Sequence, residues 1–229
     1  MLNYKALREQ VYEYLRDEIH AGRIVANTTL DLNAISETLG VSRTPLRDAL
    51  IKLEAEGFVT IMPRRGVIVN GLTVKEVKNF YQIIGALEGE VLKEVFGKLD
   101  AVKIGNMRQI TAEMREVLRK DDFDAYYEAN IRFHDVFLEL TSNDILRPLI
   151  IPMKQRLYDF QRHPYVKDWE FRNCDEHDQI VDKIRQRDVT GAVQLLRDVH
   201  WSFEVQKNYI KEFYRFILQD ATNATVSHA

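Results

Sequence analysis

The stretch Leu39–Gly57, reading LGVSRTPLRDALIKLEAEG, constrains this chain more than any other. Gly40 can take a positive φ and so turn one helix into the next. Ser42 and Thr44 offer side-chain oxygens to the first N–H groups of a new helix, and Pro45 suits its first turn. Leu46, Ala49, Leu50 and Leu53 then follow i, i+3, i+4, i+7, which makes one buried stripe. Arg43 and Arg47, four apart, share another face. A short helix over Leu32–Leu39, a tight turn and a second helix carrying two arginines describe a helix-turn-helix whose second helix enters a DNA groove. An ordinary helical hairpin with solvated arginines would not require turn, cap, stripe and arginines to agree.

The next residues extend this reading. Phe58–Met62 and Val67–Asn70 are short β-prone runs, and Pro63-Arg64-Arg65-Gly66 between them reads as a turn. A hairpin with two arginines at its tip, directly after such a helix, is the wing of a winged helix. Arg64 and Arg65 can reach phosphates or the minor groove there.

Composition bounds the rest. At 229 residues the chain holds one large domain or two modest ones, and 45% hydrophobic with 29% charged residues is ordinary for a globular protein. No apolar run approaches membrane-spanning length and none resembles a signal peptide. A single cysteine, Cys174, leaves no internal disulfide, and the cytoplasm is the expected compartment. The net charge of −3 is uninformative once divided: residues 1–72 hold nine Lys/Arg and nine Asp/Glu, so the imbalance lies in the remainder. A local basic patch on a neutral domain is enough for DNA binding, more so when a dimer doubles it.

Taken in order, Tyr4–Ala21 reads as an amphipathic helix with Leu7, Val11, Leu15 and Ile19 on one stripe, ended by Gly22. Beyond Leu72 strand signals almost vanish. Periodic segments run over Val74–Phe96, Ala101–Arg119, Phe123–Leu140, Ile145–Arg162, Trp169–Arg187 and Val189–Leu218, and the tail 220–229 is expected to fray. The fold expected is mostly α: a winged helix-turn-helix with a small β-hairpin over residues 1–71, then an all-α six-helix bundle over 72–229 that binds an effector and dimerises.

Three of the six histidines fall on predicted core stripes. Tyr127, Asn130, His134 and Phe137 form one; Cys174, His177, Val181 and Ile184 repeat its spacing; Ala192, Leu196, His200 and Phe203 make the seam of the last helix. A buried polar group without a partner costs on the order of 1–3 kcal/mol. Each imidazole could find its own hydrogen bond, or the three could share one metal ion, with the Asn130 amide oxygen one turn before His134. Cys174, three residues before His177, is a thiolate candidate or plain packing. His20, His163 and His228 lie off the stripes. Asp121, Asp122 and Asp124 read as a helix N-terminus, and Trp169, Trp201 and the run Tyr209–Tyr214 as core or dimer surface.

LREQVYEYLRDEI at 7–19, LGVSRTPLRDALIKLEAEGFV and PRRG closely resemble the GntR family of bacterial transcription regulators. The resemblance implies that Arg43, Thr44 and Arg47 touch operator DNA and that Gly66 lies at the wing tip. Members often carry Pro-Gly before the second helix, where this chain has Ala26-Asn27-Thr28. Some place a DNA-contacting arginine on that helix, where this chain has Asn33. The C-terminal part is similar to the FCD domain of the FadR type, whose marks read here as Asn130-x-x-x-His134, Glu176-His177 and His200. That implies a divalent metal held by Asn130, His134, His177 and His200, with zinc the default and nickel or manganese alternatives. Aspartate is the usual first ligand, so Asn130 should weaken metal binding or favour an anionic effector. Ile84 stands where the family often has an arginine, and Arg156 and Tyr158 become candidates to grip a carboxylate effector.

The expected function is a metabolite-responsive transcription regulator, a repressor in most of the family, acting as a homodimer on a palindromic operator and not as an enzyme. A competing reading starts from His134-Asp135 and His177-Asp178, two pairs that faintly resemble the HD-type metal phosphohydrolases. In a helix, however, each aspartate points about 100° from its histidine.

Overall fold

The computed structural model describes residues 6–159 and 166–213. The expectations for Tyr4, His163, Pro164, Tyr214, His228 and the tail, with the segment ends at Arg162 and Leu218, fall outside them. Two compact units divide these residues: 6–73 with 155–159, and 74–154 with 166–213.

In the first unit, α1 (Leu7–His20) buries Val11, Tyr12, Leu15 and Ile19 and ends at Gly22 with φ 71°. Leu7 was expected on that stripe but is exposed; Tyr12 takes its place, donating its hydroxyl to Glu56 Oε2 at 2.6 Å. Helix α2 (Leu32–Leu39) is capped by the Asp31 carboxylate, which accepts from the N–H groups of Asn33 and Ala34. Gly40 closes it at φ 62°, the left-handed conformation that glycine tolerates without a Cβ clash. Helix α3 (Arg43–Ala55) buries Leu46, Ala49, Leu50 and Leu53, as the stripe predicts. Ser42 occupies its N-cap position, but no side-chain oxygen caps the helix.

Strands β1 (Val59–Met62) and β2 (Gly66–Val69) pair antiparallel, Val59 with Val69 through Met62 with Gly66. A third segment, not foreseen, lies along β2: the N–H of Leu30 donates to Val67 O at 2.8 Å, and Thr29 bridges Ile68. Asn27 enters that segment at φ 63°, in the left-handed region that asparagine tolerates best after glycine.

In the second unit, α4 (Val74–Val95) packs on α6 (Phe123–Leu138), while α5 (Ala101–Arg119) packs on α6 and α8 (Lys167–Arg185). Helix α7 (Leu146–Asp159) contributes its residues up to Lys154. Asp122 caps α6, accepting from the N–H of Ala125, as its place in the acidic run suggests. The expected last helix is not continuous. It comprises α9 (Val189–Gln194), a π-helical turn over Leu195–His200, and α10 (Phe203–Phe213) after a break at Trp201-Ser202. Val199 O accepts both the N–H of Ser202 at 3.2 Å and the Gln206 amide at 3.1 Å, which pins α10 to the end of the π turn. The seam therefore runs Ala192, Leu196, His200, Trp201, Gln206 and Ile210, while Phe203 is only half-buried.

The π turn lies tightly against α4. A Cβ on Gly85 would lie 2.8 Å from Cβ of Trp201, closer than real side chains approach. Gly85→Ala should therefore destabilise the chain by about 1–3 kcal/mol, the usual cost of overpacking, read as a lower urea midpoint at unchanged slope.

Candidate metal centre and nucleic-acid interface

Three helical elements bring His134 (α6), His177 (α8) and His200 (π turn) together in the interior of the second unit. Their ring centroids are 5.2, 5.3 and 4.7 Å apart for the 134–177, 134–200 and 177–200 pairs. Each offers one nitrogen within 4.8 Å of the others, and all three side chains are buried. Asn130 is buried one turn before His134 on the same stripe of α6.

Two carboxylates stand behind two of the rings. Glu176 Oε2 is 3.0 Å from Nδ1 of His200. Its carboxylate also accepts from Gln206 Nε2 at 2.9 Å and Arg172 Nε at 3.1 Å. Glu88 Oε2 is 2.8 Å from Nδ1 of His134. Glu88 further accepts from Lys154 Nζ at 2.6 Å and Trp201 Nε1 at 2.8 Å. Each carboxylate on Nδ1 leaves Nε2 of the same ring turned to the cluster, the arrangement that fixes tautomer and orientation in metal-binding histidines. Of the pair, Glu176 was visible in sequence beside His177, whereas Glu88 was not singled out; Ile84, one turn before it, is buried. Lys154 and Gln206 gave no sequence signal.

His177 has no carboxylate. It stacks on Phe133 at 3.9 Å between centroids, and neither of its ring nitrogens has a hydrogen-bond partner; Nε2 of His134 also lacks one. Burial pushes the pKa of His177 well down and that of His134 down to about 4, so both rings are neutral at pH 7. Burial pushes the Glu88 carboxyl up, but the Lys154 ammonium 2.6 Å away outweighs it and keeps Glu88 ionised. Neutral, buried imidazoles with orphaned nitrogens in mutual reach are chemically suited to a divalent ion, and this cluster could hold one. Cys174 does not join them: burial pushes its thiol up to about 12, and it packs as a small apolar group.

Other expected residues are placed elsewhere. Arg156 is buried and donates to the carbonyl oxygens of Gly57 and, at 3.3 Å, Gly71, with its guanidinium 5.9 Å from the Phe58 ring. The guanidinium thus meets backbone carbonyls of the first unit, a use the sequence reading, which took it as an effector grip, did not include. Tyr158 is half-buried in the same unit. Asp178 pairs with Arg115 at 2.6 Å, and Asp135 lies 3.6 Å from Arg147; neither joins the imidazoles as a phosphohydrolase would need.

In the first unit, Arg43, Thr44 and Arg47 are exposed along the N-terminal turns of α3. Arg43 Nη2 donates to Asn33 Oδ1 at 3.2 Å, so Asn33 steadies the Arg43 side chain. With Asn33, Leu50 and Ile61, the two arginines line a groove of about 980 Å³. Arg64 and Arg65 are exposed in the three-residue loop between Met62 and Gly66. Arg64 holds φ 64° and Gly66 φ 106°; a non-glycine residue in the left-handed region is strained, and such strain tends to gather at working sites.

Two measurements test the histidine centre. In the metal-stripped chain His134 and His177 have folded-state pKa values below the unfolded 6.5. The unfolded chain therefore takes up protons first as pH falls, and stability present above about 6.5 drains away toward pH 4. Urea midpoints at pH 7 and pH 5 should fall accordingly. Separately, Glu176→Gln should lower zinc affinity by roughly 10–100-fold, the range for losing such an orienting carboxylate, with the far-UV spectrum unchanged.

Residues 7–69 match the family described as "Bacterial regulatory proteins, gntR family", and residues 79–200, more than half of the chain, match the FCD domain. The chain is 28% identical over 134 residues to the HTH-type transcriptional repressor RspR of Escherichia coli, an alignment covering 58% of this chain and 59% of that one. It thus spans about three-fifths of the length of that relative. It is 24% identical over 207 residues to the gluconate operon transcriptional repressor of Bacillus subtilis, covering 87% of this chain and 83% of that one. The fold is similar to that of E. coli McbR/YncC, with a TM-score of 0.70 at 17% identity over 92% of this chain and 98% of that one. With both of its parts matched in sequence, and with a winged hairpin and a helical unit of the kind those parts require, the chain belongs to the GntR family and carries an FCD domain.

Proposed function

We propose that the chain is a DNA-binding transcription regulator, a repressor, whose operator affinity responds to a small carboxylate held at a metal ion in the helical unit. The observation that carries the DNA half is the row of exposed arginines. Arg43 and Arg47 lie on the free face of α3, and Arg64 and Arg65 form the tip of the adjoining hairpin. Arg43, Thr44 and Arg47 read base edges and phosphates in the major groove, and Arg64, Arg65 and the Gly66 backbone follow the strand beside it. A homodimer in the cytoplasm sets two such helices on half-sites one turn apart in a palindromic operator. The domain boundary falls near residues 71 and 72. The names of the relatives, two of them repressors, support the direction of control.

In the helical unit, His134, His177, His200 and Asn130 hold the ion, with zinc the expected metal and nickel or manganese the alternatives. The bound ion supplies a fixed positive centre for a carboxylate. The chain's own part is to keep the rings neutral, to aim two of them through Glu176 and Glu88, and to keep bulk water away by burial. Binding there shifts the population of DNA-competent states; no bond in the effector is made or broken.

Arg43→Ala/Arg47→Ala should abolish specific retention of the chain's own upstream DNA in a mobility-shift assay, a loss of at least roughly 30-fold given about 1–3 kcal/mol per specific arginine contact. Metal content and far-UV spectrum should stay at the wild-type level. Retained binding by the double variant would show that α3 is not the reading helix.

A further inference from the structure

We propose that the histidine centre takes its metal ion and a small anion as a coupled pair, and that Asn130 is the residue imposing the coupling, an inference that rests on the metal reading above. The three imidazoles contribute no charge, and neither does the Asn130 amide on the buried face of α6. Among the described residues, no carboxylate joins the set of mutually close ligand atoms. The carboxylates that do reach the rings stand behind them on His134 and His200, and each already faces a cation of its own: Lys154 Nζ at 2.6 Å from Glu88, and Arg172 Nε at 3.1 Å from Glu176.

A divalent ion entering this shell keeps its two positive charges, in an interior where uncompensated charge is costly. With aspartate one turn before His134, the chain itself would supply part of the missing negative charge. With asparagine, that charge has to arrive with an exogenous ligand, and a carboxylate bound directly to the ion is the class that meets both needs. The relation is reciprocal: the anion strengthens ion binding by the same factor as the ion strengthens anion binding. Metal occupancy then reports the anion, and neither ligand alone fills the centre well.

The test is a zinc titration of the full-length chain against a chromogenic chelator, with and without acetate as the anion probe, on wild type, Asn130→Asp and His177→Ala. Acetate is expected to raise wild-type zinc affinity by about 10-fold, within the usual span of coupling between two ligands. Asn130→Asp is expected to bind zinc about 10-fold more tightly without acetate and to gain less than about 3-fold from it, with a larger zinc-induced rise in Tm than wild type. Wild-type affinity indifferent to acetate overturns the coupling. So does an Asn130→Asp variant no tighter than wild type, provided His177→Ala has lost zinc. A His177→Ala variant that binds zinc like wild type removes instead the metal reading beneath it. Should Asn130→Asp not fold without zinc, the acetate response of wild type decides alone.

Discussion

The helical unit is arranged around a difficulty: three imidazole rings lie buried with centroids 4.7–5.3 Å apart. Protonating any of them places charge where water cannot reach it, and leaving them neutral strands ring nitrogens without partners. The chain resolves part of this with two carboxylates. Glu176 ties His200 to Gln206 of α10 and Arg172 of α8. Glu88 of α4 gathers His134 of α6, Lys154 of α7 and the indole of Trp201. Almost every element of the unit that carries a ligand is thus tied to a neighbour through a charge-assisted contact, and such contacts are strongly directional. What remains unresolved, both nitrogens of His177 and one of His134, is what a bound cation would satisfy.

That network also explains the shape of the C-terminal segment. A continuous α-helix through Val189–Phe213 would keep the stripe Ala192, Leu196, His200, Phe203 in register. The π turn adds a residue to one turn, so the positions after it rotate by about 100°. Trp201 and Gln206 become buried in place of Phe203. Trp201 can then donate to Glu88, and Gln206 can both hold Glu176 and accept from Trp169 Nε1 at 2.9 Å. Gly85 makes the arrangement possible from the other side, because only a residue without Cβ lets α4 approach Trp201 so closely.

Much of this was legible in the sequence, and the division between what was and was not has a physical cause. Features set by local chemistry could be read: α2 and its Gly40 turn, the stripe of α3, the hairpin and its arginine tip, the Asp122 cap. So could the convergence of His134, His177 and His200, since each lies on the apolar stripe of its own segment. What could not be read depends on partners distant in the chain. Nothing local to Lys154 announces that it will be buried against Glu88, 66 positions away. Arg156 looked like a candidate for gripping an anion because an arginine's charge is its obvious attribute; its use on the carbonyls of Gly57 and Gly71 is visible only in three dimensions. The π turn was missed because periodicity arguments assume a constant 3.6-residue repeat.

The two candidate sites consequently tolerate change in opposite ways. The arginine face of α3 and the wing rests on exposed side chains over a core of Leu46, Leu50, Leu53 and Phe58 that does not involve them. Its residues can be exchanged while the scaffold stays intact. The histidine centre has no such separation, since its ligands and their orienting carboxylates are themselves the core of the unit. A substitution there changes affinity and packing together, with one exception in kind. At Asn130, exchange of amide for carboxylate alters charge at almost constant shape, so position 130 is where the charge of this centre can be changed with the least disturbance to its surroundings.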